Sequence, residues 1–86
     1  MSEATLTPEP DQIVNTQGLY CPEPVMMLHQ AVRKSQSGQI IQVLATDPST
    51  TRDIPKFCLH LGHELLQQQQ QLHEGQTCYA FWIKKR

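Results

Sequence analysis

The pattern of hydrophobic and polar positions divides the chain into six segments of regular structure. Four strands are predicted, over residues 12–16, 39–46, 64–72 and 77–83. The stretches that predict them are rich in β-branched residues, continuously apolar, or alternate between apolar and polar residues. Apolar positions three and four residues apart predict two helices, over about 24–36 and 50–61. The order βαβαββ predicts an α/β fold, a two-layer sandwich with both helices on one face of a four-stranded mixed sheet.

The first predicted helix has a single apolar stripe, formed by Val25, Leu28, Ala31, Val32 and Ser35. Met26 and Met27 lie off the centre of this stripe. We expect one of the two methionines to fold under the start of the helix. Met26 shares a flank with Arg33, so we predict that it stays exposed and contributes to a docking surface for a partner.

The second predicted helix has its apolar residues at the i, i+3, i+4, i+7 positions, which are Ile54, Phe57, Cys58 and Leu61. Because Cys58 belongs to this stripe, we predict a buried thiol that packs as a small apolar side chain and does not react. Gly62 is suited to end the helix.

The predicted C-terminal hairpin contains five consecutive glutamines, at 67–71. Such a run is typical of disorder, but leucines at both of its ends favour a strand with little to bury on its outer side. In the last strand Tyr79, Phe81 and Ile83 are predicted to face the helices. Cys78, Ala80 and Trp82 are then predicted to lie on the open face of the sheet.

Composition narrows the class of protein. The chain has 86 residues, which allows one small domain from about Asp11, preceded by a predicted tail over residues 1–10. Seven basic and eight acidic residues give a net charge of −1, which argues against direct nucleic-acid binding. Three cysteines without a C-x-x-C pair argue against a disulfide framework and a structural metal site, and favour the cytoplasm. No signal peptide or membrane-spanning run is visible.

Cys21 stands directly in front of the first helix. Proline suits the first turn of a helix and disfavours helical angles in the residue before it, which predicts Pro24 as the first helical residue and Glu23 as the cap. The unpaired N–H groups and the macrodipole of a helix start favour a thiolate. A shift of the thiol pKa from about 8.5 to about 7 requires roughly 2 kcal/mol, whereas an exposed helix end supplies roughly 0.3 to 1 kcal/mol. The Glu23 carboxylate would oppose the shift, so we predict a modestly reactive thiol, suited to accepting and passing on an atom.

Two loops are predicted to meet at one edge of the sheet. A strand, a helix and a second strand in this order imply a parallel crossover, so the loop with Cys21 and the loop with Asp47 emerge together. We expect Asp47 and Asp53 to order the second loop by capping rather than to transfer a proton. Arg52 has two possible roles, to steady an anion on Cys21 or to face a partner.

Several segments together resemble a known family. Residues 19–27 contain Cys-Pro-Glu-Pro-Val-Met-Met, residues 47–55 read Asp-Pro-Ser-Thr-Thr-Arg-Asp-Ile-Pro, and residues 57–58 and 63–65 follow at the right distances. From about Val14 to the C-terminus the chain is similar to the TusA family of sulfur carriers, which includes SirA-like proteins. The resemblance implies the βαβαββ fold and a persulfide on Cys21, received from an IscS-like cysteine desulfurase. It also implies transfer to a TusBCD-like acceptor and TusE, for 2-thiolation of a tRNA wobble uridine.

The resemblance also implies a set of site residues. The environment of the persulfide would be formed by Pro22, Glu23, Pro24, Asp47, Arg52 and Asp53. The helix N–H groups would hold the anionic persulfide. Partners would bind at Met26, Met27 and Arg33. No metal or other cofactor is implied, and the free carrier is expected to be a monomer.

Other functions stay open at the level of sequence. The first is an interaction or redox-regulatory module in which Cys21 is part of a binding face. Direct tRNA binding is disfavoured by the near-neutral charge. A metal site built from cysteines and histidines is the least favoured. The histidines are interpreted most simply as surface residues; they are His29, His60, His63 and His73.

Overall fold

A computed structural model describes residues 8–86 and confirms the predicted two-layer α/β fold. Its strands are β1 (Gln12–Thr16), β2 (Ile40–Ala45), β3 (Glu64–His73) and β4 (Gln76–Lys84), and its helices are α1 (Glu23–Lys34) and α2 (Thr50–Leu61). The bounds of β1 and α2 are as predicted, and the other elements differ from the prediction by one or two residues at an end. The predicted tail over residues 1–10 falls largely on residues 1–7, which lie outside the described residues.

The four strands form one sheet in the order β1-β2-β4-β3. β1 and β2 are parallel, and β4 is antiparallel to both of its neighbours, β2 and β3. The glutamine run lies within β3, as predicted. Because β1 and β2 run in the same direction, the loops that follow them leave from the same edge of the sheet.

The core lies between the helices and one face of the sheet. Leu28 of α1 and Ile54 of α2 are completely buried in one cluster with Ile41 and Phe81 of the sheet. Such buried aliphatic and aromatic side chains each stabilise the fold by about 1.5 to 3 kcal/mol relative to exposure. The helices are therefore held in a fixed position over the strands.

One burial prediction was wrong, that of Leu61 in the core, and one side chain on the open face of the sheet is buried. Leu61 is 39% exposed, because α2 ends at this residue and Gly62 takes the left-handed conformation, with φ 78°. Trp82 is on the predicted face of the sheet but only 5% exposed. It pairs in register with Gln42 on one side and Gln67 on the other, so their long side chains flank the indole. The open face is thus covered by glutamines around a concavity of about 410 Å³.

Candidate functional site

The loop that carries Cys21 is fixed to the end of β2. Gly18 adopts a left-handed conformation with φ 84°, which allows the chain to turn directly after β1. Its N–H donates to Thr46 Oγ1 at 2.9 Å, and the Leu19 N–H donates to the Thr16 carbonyl at 3.1 Å. The position of Cys21 is therefore set by hydrogen bonds on both sides of the turn.

Asp47 joins the two loops. Its Oδ2 accepts a hydrogen bond from the Cys21 N–H at 2.7 Å, and its Oδ1 accepts one from the Ser49 N–H at 3.0 Å. These hydrogen bonds favour the ionised carboxylate and lower the pKa of Asp47. The predicted meeting of the loops is confirmed, and the contact is made by the backbone of Cys21 and the side chain of Asp47.

The start of α1 differs from the prediction. Pro22 is the cap residue, without a side-chain capping bond, and Glu23 is the first helical residue. Proline has no N–H, so Pro22 and Pro24 leave no donor, and the Glu23 N–H donates to the Tyr20 carbonyl at 2.9 Å. Of the four N–H groups expected to be free, only that of Val25 lacks a hydrogen-bond partner within residues 8–86. The donor set for an anion is therefore much smaller than predicted.

The acidity of Cys21 also departs from the prediction. The thiol is exposed, but its hydrogen bond to the Asp53 carboxylate, together with slight burial and the negative charge of Asp53, raises its pKa. The Asp47 carboxylate adds to this effect, and the Arg52 guanidinium opposes it. The effect of the Asp53 carboxylate is therefore opposite to the lowering of the pKa that the helix start predicts. Asp53 is not the cap of α2, because Ser49 occupies the N-cap position, without a side-chain capping bond.

Cys21 lines a groove of about 390 Å³ between α1 and α2. The groove has an apolar floor, formed by Pro22, Val25, Phe57 and Leu61, and polar groups at its rim, which are His29, Asp53, Lys56 and His60. Most of these residues were assigned to the core or the surface by sequence reasoning. The signal that would have found the polar ones is their spacing of three or four residues from Val25 or Phe57, which holds for His29, Asp53 and His60.

One wall of the groove is held by a stack of rings. His29 contacts Phe57 edge-on with ring centroids 4.6 Å apart, and His63 stacks on Phe57 at 5.7 Å. The Arg86 N–H donates to His63 Nδ1 at 3.1 Å. Burial lowers the pKa of His63, as do the nearby positive charges of Arg86 and Lys85. His63 is therefore a half-buried packing residue and not the surface residue that was predicted.

The remaining predicted site residues do not line the groove. Met26 is 56% exposed, as predicted, whereas Met27 folds under and packs against the core. Glu23, Arg33 and Arg52 have exposed side chains, and Pro24 is buried. Their predicted roles with persulfide and partners remain predictions.

The other two thiols lie in different surroundings. Cys58 is buried in the core, as predicted, and burial raises its pKa to about 11. Cys78 is half-buried on the open face of the sheet, where Gln17 Nε2 donates to its sulfur at 3.8 Å. Within residues 8–86 no three His, Cys, Asp or Glu side chains are grouped so that they could hold a metal ion. No helix in this part of the chain has the length and apolar character needed to cross a bilayer.

Comparisons with known proteins show what this chain is similar to. Residues 12–85 match the family model described as sulfurtransferase TusA. A sulfur carrier protein TusA of Pseudomonas putida is 58% identical over 77 residues, covering 90% of this chain and 91% of the relative. One from Pseudomonas aeruginosa is 53% identical over 81 residues, covering 94% and 98%. The crystal structure of a SirA-like protein from Desulfitobacterium hafniense has the same fold, with a TM-score of 0.65 at 16% identity over 87% of this chain and 99% of that one.

Proposed function

The chain belongs to the TusA family of sulfurtransferases, and on that premise we propose that it carries sulfur as a persulfide on Cys21. The observation that carries the proposal is the position of this thiol. Cys21 is the one exposed cysteine in residues 8–86, and it lies where two loops and the groove between α1 and α2 meet. A sulfur atom bound there is accessible to a donor and to an acceptor.

The transfer is an exchange at sulfur. Cys21 Sγ attacks the terminal sulfur of a persulfide on the donor cysteine, a new S–S bond forms, and the S–S bond of the donor breaks. The electron pair leaves with the donor sulfur, which takes up the proton released from Cys21. The products are a persulfide on Cys21 and a thiol on the donor, so no oxidant or reductant is consumed.

The raised pKa of Cys21 gives Asp53 a part in this step. Its carboxylate accepts the hydrogen bond of the thiol and disfavours the thiolate while no donor is present. The free carrier is thereby less open to adventitious oxidation, which requires thiolate character. Once sulfur is bound, Arg52 and the N–H of Val25 are the nearby groups that favour an anionic persulfide.

The donor we propose is an IscS-like cysteine desulfurase, and the acceptor is a TusBCD-like relay that serves 2-thiolation of a tRNA wobble uridine in the cytoplasm. The family supports a donor and an acceptor of sulfur in general. Met26 supports a protein partner in particular, because an exposed methionine on the first turn of α1 adapts to different surfaces. Arg33 extends this flank along the helix.

The test is transfer of sulfur to the isolated protein. After incubation with a cysteine desulfurase and L-cysteine, intact mass spectrometry should show a gain of one sulfur atom that a reductant removes. Cys21→Ser should show no gain, and Cys78→Ser, the matched control, should be loaded like the wild type. Persistent loading of the Cys21→Ser protein would contradict the proposal.

A second function is favoured by one observation, the raised pKa of Cys21. A thiol that is held protonated suits an interaction module in which Cys21 is part of a binding face. In that case the wild type gains no sulfur from the desulfurase, and Cys21→Ser still binds the partner. The loading experiment therefore separates the two functions.

A further inference from the structure

The glutamine run lies on a free edge of the sheet. The strand order makes β3 an edge strand, and at ten residues it is the longest strand in residues 8–86. Edge strands are normally protected against pairing by charged residues or proline. Residues 65–72 contain neither. The only protection is a bulge between Leu65 and Gln67, near one end of the strand.

The hairpin geometry identifies which backbone groups face outward. His73 and Gln76 flank a two-residue turn in which Glu74 and Gly75 have positive φ, 51° and 79°. In such a hairpin the flanking pair is hydrogen-bonded to each other, and bonded and non-bonded pairs alternate from there. The N–H and C=O groups of Gln68, Gln70 and Leu72 therefore point away from β4 to the outer edge.

We propose that two copies of this chain associate through β3, antiparallel, about a two-fold axis at Gln70. Gln70 then lies opposite Gln70 of the second copy, and Gln68 lies opposite Leu72. These three pairs form about six backbone hydrogen bonds, two for each pair. On the open face of the sheet, Gln69 lies opposite Gln71 of the second copy.

The side chains favour a second copy over an unrelated strand. Glutamine has both a donor and an acceptor in its amide, so a run of glutamines is complementary to itself. Gln68 and Gln70 are exposed in the single chain and free to form such pairs. A charged partner strand would find no opposite charge between residues 65 and 72.

The proposed assembly is a closed and reversible dimer. Each copy uses its single long edge, because the opposite edge, β1, has only five residues. About one hydrogen bond is found per 100–200 Å² of interface, so the pairing corresponds to roughly 600–1,200 Å². This is the low end for specific complexes, and the association therefore depends on concentration. It differs from the expectation of a free monomer that the family resemblance implies.

The dimer does not depend on sulfur transfer. Cys21 follows β1, which lies three strand spacings from β3, about 14 Å across the sheet. Pairing through β3 leaves the Cys21 loops of both copies at the outer ends of an eight-stranded sheet. Failure of the dimer would leave the proposed function intact, and failure of sulfur loading would leave the dimer intact.

Sedimentation velocity over a concentration series of the full chain tests the proposal. The wild type should show a monomer–dimer equilibrium. Gln70→Lys and Gln70→Glu each place like charges across the two-fold axis and should weaken dimerisation by at least about tenfold. An equal mixture of the two variants should recover a dimer. Gln30→Lys on α1, the matched control, should dimerise like the wild type.

Several results would overturn the proposal: a monomer at all concentrations, species larger than a dimer, or a dimer that is unaffected by charge at position 70. Cross-linking then fixes the register. The background is Cys21→Ser with Cys78→Ser. In the proposed dimer the cysteine of Gln70→Cys lies opposite the same residue of the second copy, at a Cα separation of about 5.5 Å, which is within disulfide range. It should cross-link under mild oxidation.

Gln68→Cys is the matched control for the register, because it lies about 14 Å from its counterpart in the same pairing. Equal cross-linking of the two variants would contradict an axis at Gln70. Fluorescence of the buried Trp82 shows in each case that the fold is retained.

Discussion

Cys21 and Cys58 place the same side chain in two opposite environments. Cys21 lies in an exposed loop and lines the same groove as Asp53, whereas Cys58 lies on the buried stripe of α2 among apolar side chains. The pKa is raised at both positions, at Cys21 by the carboxylate and at Cys58 by burial, to about 11. The direction of the pKa shift therefore does not distinguish the proposed carrier thiol from the structural one. Access to solvent and to a partner distinguishes them.

The largest expected difference is in alkylation of the folded protein. Iodoacetamide at neutral pH should modify Cys21 directly, whereas Cys58 reacts only after the core opens. If that opening requires about 5 kcal/mol, the lower end of domain stability, Cys58 reacts about 5,000-fold more slowly than in the unfolded chain. Peptide mapping of the modified protein in a Cys78→Ser background measures both rates.

Denaturant provides the internal control for this comparison. Once the chain is unfolded, the two thiols should react at similar rates, because the Asp53 contact and the burial are both lost. Comparable rates of alkylation of Cys21 and Cys58 in the folded protein would show that α2 opens readily. Access to solvent would then not distinguish the two thiols.

The next effect is on stability. Cys58→Ser replaces a buried thiol by a hydroxyl with no acceptor provided in the apolar cluster, which should lower the free energy of unfolding by about 1 to 3 kcal/mol. For a domain of this size each kcal/mol corresponds to roughly 4 to 8 °C in Tm. Cys21→Ser should leave Tm unchanged, because its side chain is exposed.

Thermal unfolding followed by circular dichroism measures this pair of variants. The effects of the two variants on sulfur loading should be the reverse. Cys58→Ser should be loaded at temperatures where it is folded, and Cys21→Ser should not be loaded. Equal Tm values for Cys58→Ser and the wild type would mean that the hydroxyl finds a hydrogen-bond partner in the core.

The sequence predicted the fold and the location of the site because both depend on local patterns. The Gln12–Thr16 strand and the Thr50–Leu61 helix have periodic or β-branched residues bounded by clear breaks, and their ends agree with the structure. The meeting of the Cys21 and Asp47 loops follows from the parallel crossover alone. The family motifs at both loops indicated the same site.

The remaining features depend on how elements pack. Two prolines two residues apart both suit the start of a helix, and the sequence gives no reason to place the cap at Pro22 rather than at Glu23. The contact of Asp53 with Cys21 depends on the placement of α2 beside α1. Burial of Trp82 depends on the glutamines of both neighbouring strands. No spacing rule within one segment contains this information.

The smallest expected effect concerns the acidity of Cys21. It tests most directly whether access or acidity determines the reactivity of this thiol. Asp53→Asn removes the carboxylate that stabilises the protonated thiol and repels the thiolate, so the pKa of Cys21 should fall. The rate of alkylation against pH should then rise at lower pH than in the wild type. Each tenfold gain in thiolate should raise the rate only about three- to fourfold, because nucleophilicity falls together with the pKa.

The pH dependence separates this effect from loosening of the loop. Below the pKa values of both proteins the ratio of the rates is constant and favours the variant, because both thiols are mainly protonated. Above both values the thiols are fully ionised, and the variant becomes the slower one because its thiolate is less nucleophilic. Glu23→Gln, the matched control, removes an exposed carboxylate that has no part in the raised pKa and should keep the wild-type profile. A variant that reacts faster at every pH would instead indicate greater exposure of Cys21, and access alone would then account for its reactivity.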